Sequence, residues 1–256
     1  MPGSGEPAAP RTPSGAAPVW AAGLAEAGLA VLAPAAVAAY DAIAPPSLRS
    51  GRLLPGAAGA WVIGADRRLF ERARRGDGFS LDTHTERTLA HLEIEAAREG
   101  GRCVAVLGHR AAPDGATDLV ALARAAGLGW PSRLGLLLHP DFGLWWSLRA
   151  ALLTTLPGLS ASPLAGPGPC GDCPAPCATA CPAGAPRPDG FDTAACAGVR
   201  SRGGPCVSSC QARRACPAGA EHAYPEEALR HVMEASLEPV LAWARSAGHL
   251  EPNTGK

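Results

Sequence analysis

Lysine is almost missing from this 256-residue chain: the only one is Lys256, so arginine carries nearly all of the positive charge. Charged residues make up 18% and the formal net charge is zero, which removes any long-range pull toward nucleic acid while leaving local basic patches open. No apolar stretch approaches the length needed to cross a bilayer. Residues 1–18, MPGSGEPAAPRTPSGAAP, lack the basic, apolar and cleavage regions of a signal peptide in that order; they read as a disordered tail, and the expected location is the cytoplasm, away from any membrane.

Cysteine, by contrast, is concentrated. Eight of the nine fall within residues 170–216, as CGDCPAPCATACP, then Cys196, then CVSSCQARRACP. Each half ends in Cys-Pro, at Cys181–Pro182 and Cys216–Pro217. Three explanations compete with iron–sulfur ligation. Disulfides suit small secreted domains, whereas a chain of this length has room for a core that needs no staples. Zinc prefers paired CxxC knuckles, and only Cys170 and Cys173 form one here. The run is also open to being a relic that no longer assembles a cluster.

The repeated arrangement resembles a two-cluster bacterial ferredoxin, in which three close cysteines hold one cubane and the fourth reaches to the other. On that pattern Cys170, Cys173 and Cys177 join Cys216 around one [4Fe–4S] cluster, and Cys181 joins Cys196, Cys206 and Cys210 around a second. The spacing departs from the usual run: two, three and three residues intervene in the first half, and three and five in the second.

The preceding chain reads as mixed α and β. Trp20, Leu24 and Ala27 share one helical face, a short strand is expected near Leu29–Leu32, and 34–46 reads as a short helix or loop. GAWVIGA at 59–65 and RCVAVLG at 102–108 are strand candidates, with Cys103 a core thiol in the second. Between them lie a helix at 67–75 and a longer one from Asp82, which is expected to cap it. A helix at 117–126 with Thr117 as cap, a strand at 134–138 and a strand or helix at 144–156 follow. The Pro/Gly-rich stretch 157–169 marks a boundary, and 225–250 reads as a helix interrupted near Pro239.

AGLGW at 126–130, LLLHPDFG at 136–143, LLTTL at 152–156, CGDC and ACPAGA, in this order, resemble the epoxyqueuosine reductases. The resemblance is strongest over 118–216. It implies an α+β protein: a nitroreductase-like mixed α/β domain that binds cobalamin (19–160), a ferredoxin-like domain with two [4Fe–4S] clusters (161–220) and a C-terminal helix (221–256). It also implies an oxidoreductase that draws electrons from a donor such as ferredoxin or flavodoxin and passes them through the clusters to a corrinoid, the cofactor carrying the hard chemistry. The implied substrate is a modified tRNA or a small molecule. A cobalamin-processing reductase or dealkylase is the alternative, and a ferredoxin-like electron carrier without catalysis the third.

The family's proton-donating aspartate corresponds to Asp114, with Asp118 as fallback, although Asp-Gly is also a turn signal and Asp118 suits a helix start. Trp130, Arg133, His139 and Phe142 are the implied cofactor contacts, with Trp145 and Trp146 as further pocket candidates. Each has a plainer reading as core or loop. His109 and Arg110 are weaker candidates for a corrin amide or phosphate. Arg133 stands where the family has lysine, and Ala218 and Gly219 stand where it has tryptophan and asparagine. The longer members' C-terminal helical repeat domain has no counterpart in this sequence.

Overall fold

The computed structural model describes residues 18–75, 80–98, 101–110, 118–161 and 163–251. The chain enters through α1 (Ala21–Glu26), β1 (Val31–Ala36) and α2 (Val37–Ile43), then β2 (Gly59–Ala65), α3 (Arg68–Ala73), α4 (Leu81–Arg98) and β3 (Cys103–Leu107). After α5 (Leu119–Ala125) come a short hairpin, β4 (Trp130–Pro131) and β5 (Leu137–Leu138), and the long strand β6 (Ser147–Thr154). The strands expected at 59–65 and 102–108 form with those limits to within a residue.

Four strands make one sheet in the order β1-β2-β6-β3, with every neighbour antiparallel. The ambiguous segment 144–156 thus contains a central strand. Val62 lies opposite Ala151, which in turn lies opposite Val106, so three strands place apolar residues on the same face. That face packs on Tyr40 of α2 and Leu122 and Ala123 of α5. Ile63, Ala150 and Leu152 point the other way, onto Leu24 of α1, Leu69 of α3 and Leu89 and Leu92 of α4. With both faces covered, the strands read as nearly continuous apolar runs. Cys103 is a partly buried thiol against this second core.

Three local expectations change. Asp82 does not cap α4: the Thr83 amide donates to Ser80 Oγ at 3.1 Å, and the Asp82 carboxylate instead takes Arg149 of β6 at 2.6 Å. The strand expected at 134–138 shrinks to Leu137–Leu138, because Ser132 turns the chain by accepting from the Leu134 amide and donating to the Leu136 carbonyl. Helix α5 is capped by Asp118, whose side chain accepts from the Ala121 amide at 2.9 Å, and Thr117 lies outside the described residues.

The cysteine-bearing stretch has little regular structure: α6 (Pro176–Ala180), a hairpin of β7 (Pro186–Arg187) and β8 (Gly190–Phe191), then α7 (Thr193–Arg200), α8 (Pro205–Ser208) and α9 (Gln211–Arg214). The chain closes with α10 (Glu226–Ala235) and α11 (Leu237–Ser246). The break falls at Ser236; Pro239 sits in the first turn of α11, where its missing N–H has no helical partner to lose. Ala228 and Leu229 of α10 pack with Phe70 and Trp145, and Leu241 and Ala244 of α11 pack with Ala197 of α7, so the closing helices touch both parts of the chain. Among the described residues no helix is long and apolar enough to cross a membrane.

Candidate metal centres

All nine cysteines are free thiols, and the eight of the dense run gather in two places. Cys170, Cys173, Cys177 and Cys216 line one cavity, walled by Arg133 and Leu134 of the hairpin loop, Leu144 and Pro217. Cys181, Cys196, Cys206 and Cys210 line a second, with Phe191, Arg200 and Met233. No cysteine is shared between them.

Short local devices aim these side chains. Ala175, with φ 57, is the one non-glycine residue at positive φ among the described residues, and it swings the chain into α6 so that Cys177 follows Pro176 into the cavity wall. Such a conformation costs on the order of 1–3 kcal/mol and persists where surrounding contacts enforce it, commonly beside a functional site. Asp192 caps α7 by accepting from the Ala195 amide at 2.8 Å and so sets the position of Cys196. Cys210 is the N-cap of α9, and its Sγ accepts from the Arg213 amide at 3.4 Å. That is the kind of backbone donor a cluster-bound sulfur uses.

The donor chemistry fits iron–sulfur ligation. Burial pushes the Cys177 and Cys216 thiols up, and their neighbours in the first group add to the effect. Cys196 and Cys206 are likewise raised by burial and by the other sulfurs of the second group, with Arg200 pulling the other way. Four thiolates therefore coexist in such a place only around cations, which deprotonate coordinating thiols outright. Among the described residues no group of three or more His, Cys, Asp or Glu is gathered for a single metal ion. A Cys₄ zinc site would need each sulfur about 2.3 Å from one point.

The remaining candidates fall elsewhere. Asp114 lies outside the described residues, and Asp118 is occupied as the α5 cap. Trp130 donates from Nε1 to the Ala165 carbonyl at 3.2 Å and packs in one cluster with Cys170, and Arg133 donates from Nη2 to the Cys170 carbonyl at 3.3 Å, so both face the start of the cysteine-bearing stretch. His139 is buried; its Nδ1 accepts from the amides of Asp141 and Phe142, at 3.0 and 3.3 Å. Burial lowers its pKa from 6.5 to about 4, with Asp141 opposing and His222 reinforcing, so the ring is neutral. Phe142 is core, in a tilted contact with His139 at 5.0 Å between centroids and an edge-to-face contact with His222 at 4.9 Å. Trp145 and Trp146 are buried too, Trp146 donating to the Leu137 carbonyl at 2.9 Å. His109 binds Glu86 at 2.7 Å, and Arg110 pairs with the same carboxylate. The structure thus joins Arg133 to the first quartet and places His139 and Phe142 in the interior.

Two arginines went unnoticed in the sequence. Arg200 and Arg213 are 4% and 6% exposed. Arg213 lies between the rings of Trp145 and Tyr224, 4.9 and 4.8 Å from their centroids, and donates from Nε to the Leu144 carbonyl at 3.1 Å. Nothing in a run such as QARRAC marks one arginine as buried and the next as exposed.

No protein-family model and no curated protein matches the chain. Solved structures do. An epoxyqueuosine reductase determined with an epoxyqueuosine-modified tRNA-Tyr stem loop superposes with a TM-score of 0.58 at 16% identity, covering 84% of this chain and 67% of the other. A selenomethionine-labelled epoxyqueuosine reductase gives 0.56 at 15% identity, covering 82% and 68%. The Bacillus subtilis enzyme, with its catalytic loop swung out of the active site, gives 0.55 at 16%, covering 80% and 66%. The class is thereby defined: a mixed α/β protein with a small antiparallel sheet. In particular, its fold is that of the epoxyqueuosine reductases, and this chain spans about two thirds of their length.

Proposed function

We propose that this protein is an iron–sulfur reductase in which Cys170, Cys173, Cys177 and Cys216 hold one [4Fe–4S] cluster and Cys181, Cys196, Cys206 and Cys210 a second. The observation that carries the reading is the separation of eight cysteines into two cavities of four. Each cubane, when bound, supplies a one-electron couple. The chain's residues do the rest: the thiolates fix each site, Leu134 and Leu144 keep one wall of the first apolar, and Phe191 and Met233 do so for the second.

The first cavity borders the hairpin loop of the α/β unit, at Ser132–Leu134 and Leu144, whereas the second is enclosed by the cysteine-bearing stretch and Met233 of α10. With both groups bound, the second site would take electrons from an external donor of the ferredoxin or flavodoxin kind, and the first, beside the hairpin loop, would hand them to an acceptor at the α/β unit. In domain terms, 161–220 is a two-cluster module of ferredoxin type set on a substrate-facing unit, 19–160, and braced by the helices of 221–256. Because His139 and Phe142 pack in the interior and Trp130 and Arg133 bind the cysteine-bearing stretch, no step is assigned to a corrin. The epoxyqueuosine nucleoside of tRNA is the acceptor to try first, given the shared fold.

The test is anaerobic reconstitution with iron and sulfide, then reduction under a paramagnetic resonance probe, with cobalamin and epoxyqueuosine-tRNA added in turn. The expected result is about eight irons per chain and a reducible signal from two cubanes. Zinc retention with no iron uptake would end the proposal. A saturable corrin spectrum would add cobalamin to the pathway, and turnover of the modified tRNA would fix the substrate.

A further inference from the structure

Each quartet has an arginine beside it, and the two are held differently. Arg133 is partly exposed and donates to the carbonyl of Cys170. Arg200, at the end of α7 and one turn beyond Cys196, is 4% exposed and lines the second cavity with all four of its cysteines. Its Nη2 donates to the Met233 carbonyl and to Ser236 Oγ, the latter at 3.2 Å, which ties the guanidinium to the end of α10. Its Nε is buried and has no hydrogen-bond partner. Among the described residues no carboxylate forms an ion pair with it.

A buried guanidinium without a counter-charge is expensive, and a buried N–H without an acceptor adds about 1–3 kcal/mol. Both deficits have one remedy within reach. Four thiolates around a cubane carry net negative charge, and their sulfurs accept hydrogen bonds.

We propose that Arg200 is a positioning residue for the second cluster: its Nε–H donates to a sulfur of that cluster, and its fixed charge raises that cluster's reduction potential above the first's. Reduction adds one electron from a reduced ferredoxin- or flavodoxin-class donor, breaks no bond and leaves the guanidinium protonated. It makes the cluster more negative, so a neighbouring cation and a sulfur hydrogen bond stabilise the reduced state more than the oxidised one. The second site then accepts electrons readily from outside, and their onward passage to the lower-potential first site is an uphill step that the acceptor must draw. This inference rests on the two-cluster reading.

The experiment is a redox titration of the reconstituted full-length protein, followed by paramagnetic resonance, for wild type, Arg200→Gln, Arg200→Lys and Arg133→Gln. In Arg200→Gln the higher of the two midpoints is expected to fall while the other stays put. Arg200→Lys, which keeps the charge but lacks Nε–H, is expected to show a smaller fall. Arg133→Gln is expected to leave the higher midpoint unchanged. Unmoved midpoints at full iron content would overturn the role of Arg200, as would an equal shift of both. If Arg200→Gln loses the second cluster, Arg200→Lys decides, and an unchanged midpoint there overturns the proposal. Failure of the wild type to bind two clusters would overturn the parent reading as well, and is recognised by its iron content alone.

Discussion

Gly143 and Gly219 meet backbone to backbone where the α/β unit touches the end of the cysteine-bearing stretch. A Cβ at Gly143 would lie 1.9 Å from the Ala218 carbonyl oxygen, and one at Gly219 would lie 2.4 Å from the Phe142 carbonyl oxygen. Both have positive φ, +55 and +69. No side chain fits between them, so this contact fixes how closely Cys216, three residues before Gly219, approaches the wall made by Leu144.

Gly143→Ala is therefore expected to cost at least about 2 kcal/mol in urea unfolding and to weaken iron retention. Gly158→Ala is the control. Gly158 has φ +89 with nothing within 4 Å, so it carries the backbone penalty without the clash. Equal losses in the two variants would show that the contact between the units contributes nothing.

Cys216→Ala tests the crossing of the two halves. It removes a ligand from the first cavity while every cysteine lining the second remains. Reconstitution is expected to yield about four irons rather than about eight, with the second cluster's resonance signal intact. Loss of the second signal instead would reverse the assignment.

Arg213→Lys is expected to destabilise the fold by about 1–3 kcal/mol in urea unfolding, with no change in cluster number. The lysine keeps the charge but loses the planar stack between Trp145 and Tyr224 and the forked donation to Leu144. A neutral result would mean the charge alone matters.

His139 gives the protein a pH dependence of defined sign. Its folded pKa of about 4 lies below the ordinary 6.5, so the unfolded chain binds the proton more readily. The stability contributed by the neutral ring is present above about pH 6.5 and is lost as pH falls toward 4, by roughly 3 kcal/mol at most. His139→Asn is expected to flatten the stability profile over that window, and an unchanged slope would move the dependence to another group.

How much of this was legible depends on the kind of signal. The apolar runs at 59–65 and 102–108 announced strands because alternate residues had to be apolar for both faces. The segment 144–156 stayed ambiguous because an apolar run fits a buried helix or a buried strand equally; pairing with β2 and β3 settles it. Asp82 looked like a cap because caps are recognised by residue type, and it was Arg149, distant in sequence, that drew its carboxylate away. Asp114 lies outside the described residues, and Phe142, Trp145 and Trp146 are buried by packing that no local pattern encodes.

By itself the sequence marked the dense cysteine run, whose likeness to a two-cluster ferredoxin supplied the grouping, and it determined the alternation of elements, since periodicity is local. Only the tertiary structure decided that Arg200 and Arg213 are interior, that His139 is a neutral core residue, and that Gly143 must admit the backbone of Gly219. Burial and close approach are properties of residues far apart along the chain; they come into being when the fold brings those residues together.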